Sequence, residues 1–280
     1  MTTPDSSFFK VERDGAVALI VLNRPDKANS MTPDFWTDLP RILDALAGDE
    51  SVRCAILAGE GRHFTGGMDL AAFASIVELL KKEPGRAAYA LRDLILALQG
   101  SFTALERARF PVIAAIHGAC VGGGIDMITA CDLRIAAQDA YFSIEEIHIG
   151  MAADVGTLQR LPRLVAPGIA AELAYTGRRF DADEAKAIGL VSSVHADKEA
   201  TLAAAWRMAH DIAKKSPLAI AGIKRNLAYA RDHSVADGLD YIATWNAGIL
   251  RPAELMSAVQ AKMAKREAEF ADLLAEPKLG

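Results

Sequence analysis

The sequence predicts an α/β core followed by a mostly helical C-terminal part. Short apolar runs bounded by Gly, Asn and Pro alternate with stretches of helical spacing through the first half. Beyond about Ala182 the pattern turns helical, and no long Gly/Ser-rich linker divides the chain. A length of 280 residues fits one large domain or a domain with an appendage, and a chain of this size buries a core without staples. The expected division places the α/β core in residues 1–200 and the helical part in residues 201–280.

Ala16 to Leu22 is a compact apolar run between Gly15 and Asn23-Arg24-Pro25, which predicts a buried strand. Thr32-Pro33 then reads as an N-cap with proline in the first turn. Phe35, Leu39, Ile42, Leu43 and Leu46 follow at helical spacing, with Pro40 placed to kink the helix. Val52 to Ala58 and Pro111 to Ile116 are further strands. Gly122-Gly123-Gly124 opens a helix through Met127 and Ala130, and Leu133 to Ala137 is another strand. Tyr141 to His148 alternates, with Phe142, Ile144, Glu146 and His148 on one parity, which predicts a strand carrying Glu146 on the face of Phe142 and Ile144. Helices are expected over 182–188, ending at Gly189, and over 199–214, 217–231 and 252–270. Residues 75–98 are helical by pattern, interrupted at Lys81 to Gly85.

Composition excludes several classes. The chain is 51% hydrophobic and 24% charged, as an ordinary globular protein is. Its net charge is −5 and no basic stripe carries interleaved aromatics, so it is not expected to bind nucleic acid. The most apolar window, Val112 to Cys131, is broken by His117, four glycines and Asp126, so no membrane association is expected. Six histidines are scattered without metal-ligand spacing, so no metal site is expected. Three widely spaced cysteines, Cys54, Cys120 and Cys131, do not form a disulfide framework. With no apolar leader in Met1 to Lys10 and no Ser-Lys-Leu-type signal in Pro277 to Gly280, a cytoplasmic location is expected.

Three stretches hold candidate chemistry. In Phe64 to Leu70, Gly66-Gly67 allows a sharp turn and leaves the Met68 N–H free to donate, although a plain strand-to-helix turn needs the same glycines. In Gly118 to Asp126, glycines at a helix start expose N–H groups where the dipole is positive, a place for an oxyanion. Neither a dinucleotide fingerprint nor a Walker A loop is present. Asp126 is also explained as a favourable first-turn acid. The third stretch joins Glu145-Glu146 to Asp154, whose carboxylate stands among small apolar residues. That placement is costly without a partner, and an N-cap near Val155 would equally account for it. His117 and His148 have no accompanying nucleophile, and no GxSxG elbow occurs.

These stretches in this order resemble the crotonase (enoyl-CoA hydratase/isomerase) superfamily. The matching features are Leu22-Asn23-Arg24-Pro25, Phe64 to Leu70, Ile116-His117-Gly118 with Gly122-Gly123-Gly124, Cys131-Asp132-Leu133-Arg134, Gln159-Arg160-Leu161, and Ser216-Pro217 with Lys224. The resemblance covers roughly residues 10 to 270. Within the superfamily, Gly150 to Pro162 is similar to the dienoyl-CoA isomerases. Hydratases usually carry glycine where Asp154 stands and glutamate where Asp126 stands. The resemblance implies an α/β, crotonase-like spiral of ββα turns with a helical C-terminal trimerisation region, as a homotrimer or dimer of trimers. It implies an oxyanion hole from the Met68 and Gly123 amides and catalytic roles for Asp126, Glu146 and Asp154. CoA contacts are implied at Lys27, Ala28 and Asp69, with Lys224 as a phosphate contact.

The implied activity is conversion of 3,5-dienoyl-CoA to 2,4-dienoyl-CoA, as in fatty acid β-oxidation, on an acyl-CoA thioester substrate. Loss of a C2 proton sends charge to the thioester oxygen, and a proton arrives at C6. Glu146 is expected as the C2 base, Asp154 as the C6 acid, and Asp126 as the group that tunes the pair. No cofactor is needed, CoA being part of the substrate. Two other readings stand beside this one: an enoyl-CoA hydratase, and a non-catalytic acyl-CoA-binding scaffold on the same fold.

Overall fold

The computed structural model describes residues 5–275. Part of the Met1 to Lys10 leader reading and the whole Pro277 to Gly280 reading lie outside these residues. In chain order the elements are β1 (Phe9–Asp14), β2 (Val17–Leu22), α1 (Pro33–Ala47), β3 (Cys54–Gly59), α2 (Leu70–Leu80) and α3 (Pro84–Arg107). Then come β4 (Val112–Ile116), β5 (Ala119–Val121), α4 (Gly123–Ala130), β6 (Leu133–Ala137), β7 (Tyr141–Ser143), α5 (Thr157–Arg160) and α6 (Pro167–Thr176). The rest are β8 (Phe180–Asp181), α7 (Ala182–Ala187), β9 (Val194–His195), α8 (Lys198–Ala213), α9 (Pro217–Ala230), α10 (Val235–Ile249) and α11 (Pro252–Met263).

A six-stranded sheet runs β1-β2-β3-β4-β6-β9, antiparallel only between β1 and β2. Every residue of β2, β3 and β4 is buried, as expected for parallel strands covered on both faces. Alternation divides them cleanly. Ala18, Ile20, Leu22, Leu57 and Ala114 face a core shared with α1 and α3. Val17, Leu19, Val21, Ile56 and Ile113 face α8, whose Ala204, Ala205, Ala209 and Ala213 let that helix lie close on the sheet. Residue 200 therefore falls inside a helix that closes the sheet, and the helices standing apart from the sheet begin at α9.

A smaller sheet, β5-β7-β8, forms the second layer, and the bridges Met31–Met68 and Thr65–Cys120 extend it. The chain repeatedly places one strand in the large sheet, one extended segment in the small layer, and then helical residues. This is the spiral of ββα turns that the resemblance implied. Its pitch brings Met68 and Gly123 to equivalent places, three residues beyond the paired Thr65 and Cys120, and Glu146 follows Phe142, the partner of Cys120, by four.

Several elements depart from expectation. The Tyr141 to His148 strand stops at Ser143, and Glu145–Ile149 is a 3-10 helix, so strand parity does not set the orientation of Glu146. The 75–98 region is, as expected, two helices interrupted after Leu80, with the Glu83 side chain capping α3 ahead of Pro84. The helix expected over 252–270 ends at Met263. No described helix is long and apolar enough to cross a membrane.

Pro40 sits inside α1 and cannot donate to the carbonyl of Trp36. The Ser101 hydroxyl on α3 donates to that carbonyl instead, at 2.7 Å and fully buried. Around it, Phe35, Trp36 and Phe102 pack edge to face and tilted, at centroid distances of 5.0–6.0 Å. Replacing Ser101→Ala orphans a buried acceptor and should cost about 1–2 kcal/mol in urea unfolding. In a Pro40→Ala background, where residue 40 regains an N–H, the same change should cost clearly less, a coupling that a double-mutant cycle reads directly. Equal penalties in both backgrounds would show that Ser101 does not substitute for the missing helical bond.

Candidate functional site

The 64–70 turn and the start of α4 meet through glycine. Gly67 has φ +83°, and a Cβ placed there would stand 2.8 Å from the Val121 carbonyl oxygen and 3.5 Å from the Gly123 nitrogen. Only a residue without a side chain allows this approach. The Met31 N–H donates to the Gly67 carbonyl at 2.8 Å, and the Asp69 N–H donates to the Met31 carbonyl at 3.0 Å. These bonds flank Met68 and leave its own N–H outside the ladder. The Gly123 N–H is the first of α4 and has no intrahelical acceptor. A Cβ on Gly123 would lie 4.0 Å from the Met68 nitrogen, so the two donors are close neighbours. This pair, at a positive helix end, is suited to a developing oxyanion.

Asn29 braces the arrangement from beneath. It is fully buried, accepts from the Arg24 N–H at 2.8 Å, and donates to the carbonyls of Glu60, His63 and Phe64 at 2.9, 2.8 and 3.2 Å. The neighbouring Ala28 carbonyl accepts from Gly66 N–H at 2.7 Å. Ala28 and Asn29 both hold left-handed backbone, φ 49° and 50°, and this tight turn carries Lys27 and Ala28 to the cavity edge.

The three acids converge electrostatically. Asp126 is 1% exposed. Its Oδ1 accepts the Thr157 N–H at 2.6 Å, while its Oδ2 is buried without a partner. Asp126 therefore caps α5 from across the site, and its place in the first turn of α4 is only part of its role. Asp154 does not cap α5, because Gly156 holds that position and no side-chain cap bond forms. Glu146 is half-buried in the 3-10 helix, with Oε1 3.4 Å from where a Gly122 Cβ would stand and Oε2 buried and unpartnered.

Burial raises the proton affinity of all three acids. Burial, reinforced by the charges of Asp126 and Asp154, pushes Glu146 up to about 7. Burial also outweighs the Thr157 hydrogen bonds and, with the Asp154 charge, raises Asp126 to about 6. Asp154 is raised by burial. Such a cluster holds protons near neutrality and titrates as a unit.

An open cavity of about 740 Å³ is lined by Met68, Gly123, Glu146, Lys27, Ala28 and Asp69 among others, while Asp126 and Asp154 do not line it. It also receives Arg24, His148 and Arg179, to which sequence reading gave no role. Arg24 stands in the Leu22-Asn23-Arg24-Pro25 motif, and its side chain pairs with Asp69. Asp69 accepts from Ser30 at 3.2 Å and caps α2 through the Ala71 N–H at 2.9 Å, so its carboxylate is held by protein groups. Arg179 is exposed and stacks over Tyr141 at 4.9 Å, beside Arg178, which pairs with Glu172 and Glu184.

Lys224 requires correction as a phosphate contact. It is buried, and its Nζ donates to the carbonyls of Leu105 and Phe110 and to Asp132 at 2.8, 2.9 and 2.7 Å. All three ammonium protons are committed inside the fold. The histidines near the motifs are structural: His117 Nε2 pairs with the Gly61 carbonyl and His148 Nε2 with the Gly177 carbonyl, each at 3.0 Å.

The enoyl-CoA hydratase/isomerase family model matches residues 12–272. The chain belongs to this family. Among curated relatives, a Mus musculus protein named Delta(3,5)-Delta(2,4)-dienoyl-CoA isomerase, mitochondrial, is 46% identical over 89% of this chain and 76% of its own length. An Arabidopsis thaliana relative named Delta(3,5)-Delta(2,4)-dienoyl-CoA isomerase, peroxisomal, is 45% identical over 93% of this chain and 94% of its own length. The crystal structure of an enoyl-CoA hydratase from Bacillus anthracis superimposes with a TM-score of 0.86 at 30% identity, covering 95% of this chain and 99% of that one. The crotonase fold, shared with such structures, is therefore the fold of this chain.

A carboxyl whose folded proton affinity is raised weakens the fold at high pH. For Glu146 the penalty is absent below its ordinary 4.5, grows as pH rises, and is complete above about 7. Glu146→Gln removes the titration. Its stability relative to the parent should therefore increase between pH 5 and pH 8, by on the order of 3 kcal/mol at most. Urea midpoints at the two pH values measure this, and a pH-independent difference would contradict the assigned environment.

Proposed function

We propose that this family member converts a 3,5-dienoyl-CoA into a 2,4-dienoyl-CoA. The observation that carries the reading is a third carboxyl, Asp154, whose charge acts on Glu146 and Asp126 beside two free amide donors. The names of the mouse and Arabidopsis relatives support it.

The thioester oxygen sits against the Met68 and Gly123 N–H groups. Glu146, ionised, removes a proton from C2. Electrons move to form C2=C3 as the C3=C4 pair shifts to C4=C5, and the C5=C6 pair takes a proton at C6 from Asp154. Negative charge resides meanwhile on the thioester oxygen, where each preorganised donor contributes about 3–4 kcal/mol to the transition state. Glu146 ends protonated and Asp154 ionised, and Asp126, coupled to both, shares the proton that must return between turnovers. One proton leaves and one arrives, so the steps balance without an electron carrier, and no cofactor is assigned. Lys27, Ala28 and the cavity edge accommodate the CoA portion, with Arg24 and Arg179 as additional cations near its phosphates.

Exposed apolar side chains on the last helices, including Ile223, Leu227, Leu239 and Met256, support assembly as a homotrimer or dimer of trimers. The three cysteines are unpaired, which supports a reducing compartment such as the cytoplasm. The hydratase reading ranks second because it gives Asp154 no task. A scaffold without turnover gives no task to the acids or the amides.

Asp154→Asn should lower dienoyl isomerisation by at least a hundredfold while CoA binding changes little, and Glu146→Gln should stop exchange of C2 protons with deuterated solvent. Crotonyl-CoA and a 3,5-dienoyl-CoA assayed side by side separate the readings. Hydration of the former outpacing isomerisation of the latter would overturn the proposal.

A further inference from the structure

Asp154 lies in a stretch without regular secondary structure, between Gly150 and Gly156, both with positive φ. An acid that must deliver a proton to one carbon needs a fixed backbone, and here the fixing comes from elsewhere in the chain. The Gln99 side-chain amide on α3 donates to the Asp154 carbonyl at 2.7 Å. Arg160 donates to the adjoining Val155 carbonyl at 3.3 Å. Its guanidinium is tied back to α3 by Glu106 at 2.9 Å and Thr103 at 3.4 Å. Gly156 makes room for it: with φ +135°, a Cβ there would stand 1.7 Å from Arg160 Nη1.

Gln99, Thr103 and Glu106 recur at i, i+4 and i+7, one face of a helix. Neighbouring Phe102 and Leu105 on the same helix are buried in the core, so the stripe is carried by a rigid element. We propose that this polar stripe of α3 is a positioning device for Asp154, acting directly through Gln99 and indirectly through Glu106 and Arg160. The inference rests on the isomerase reading for its catalytic consequence. It adds that Gln99, Glu106 and Arg160 control delivery of the proton to C6 without touching the substrate.

The test separates the two ends of the reaction. Gln99→Met keeps length and helix propensity on a half-buried site and loses the donor. With a 3,5-dienoyl-CoA, its kcat for isomerisation should fall about tenfold to a hundredfold, the scale of a small misplacement of a reacting group. KM and the C2 exchange rate in deuterated solvent, which depend on Glu146, should stay within about twofold. Glu106→Leu should raise the ratio of exchange to isomerisation in the same direction. Glu106→Gln, which keeps an oxygen acceptor for Arg160, should hold that ratio near the parent value. Amide deuterium uptake over residues 151–156, read without substrate, should quicken in Gln99→Met. If the ratio and the uptake both stay at parental values, the proposal is overturned. If the parent itself turns over no dienoyl-CoA, the isomerase reading falls, and uptake alone decides the clamp: faster exchange upholds it and unchanged exchange overturns it.

Discussion

Two turns of the spiral touch where Gly67 lies against the Val121 carbonyl, at a separation that admits no Cβ, and the proposed oxyanion site follows from that contact. The amide of Met68 and the amide that opens α4 converge only because the backbones approach this closely. Neither amide gains an acceptor from its own element, since one belongs to a bridged residue whose bridge bonds are made by its neighbours and the other begins a helix. Donors left unpaired inside a fold are costly unless something else meets them. Here that cost is the reserve a developing thioester oxyanion can draw on, because the donors are already aimed when charge arrives.

The acids obey a complementary constraint. Water exclusion that strengthens the amide donors also disfavours carboxylate charge, and two buried oxygens, one each on Asp126 and Glu146, go without partners. The site answers by binding protons near pH 7 rather than by adding cations. Arg160 lies near enough to favour ionised Asp126, yet burial outweighs it. A cluster of this kind can accept a proton at one position and release one at another with little change in its total charge, which is what moving a proton along a conjugated chain requires.

Much of this was legible in the sequence because the large sheet is covered on both faces. Unbroken apolar runs such as Val17 to Leu22 can hardly be anything but interior strands, and glycine clusters marked both turns of the oxyanion site. What escaped reading has physical causes. β1 exposes most of its residues at the sheet edge, so its strand has no hydrophobic period to announce it. Alternation from Tyr141 continued past the true end of β7, because a 3-10 turn can follow a strand without interrupting the pattern of residue types. Lys224 matched a motif, but its partners, Asp132 and two carbonyls, lie about 90 to 120 positions away in the chain, and spacing alone cannot reveal them. Gln99 gave no signal at all, since a lone glutamine on a helix is ordinary.

The repeat explains why one acid needs outside help and the other groups do not. Met68 and Gly123 occupy equivalent places in successive turns and Glu146 lies one residue past the next such place, so the register of the small layer positions them together. Asp154 comes after the fourth turn, in a stretch that pairs with no strand. Its geometry must be supplied by other means, and α3 is suited to the task because one side of it is already locked into the core by Phe102 and Leu105. The same helix donates Ser101 to the carbonyl left open by Pro40. A single rigid helix thus repairs a defect in α1 on one face and holds the Asp154 carbonyl on another, and in the proposed reaction this ties the stability of the core to the precision of proton delivery at the far end of the diene.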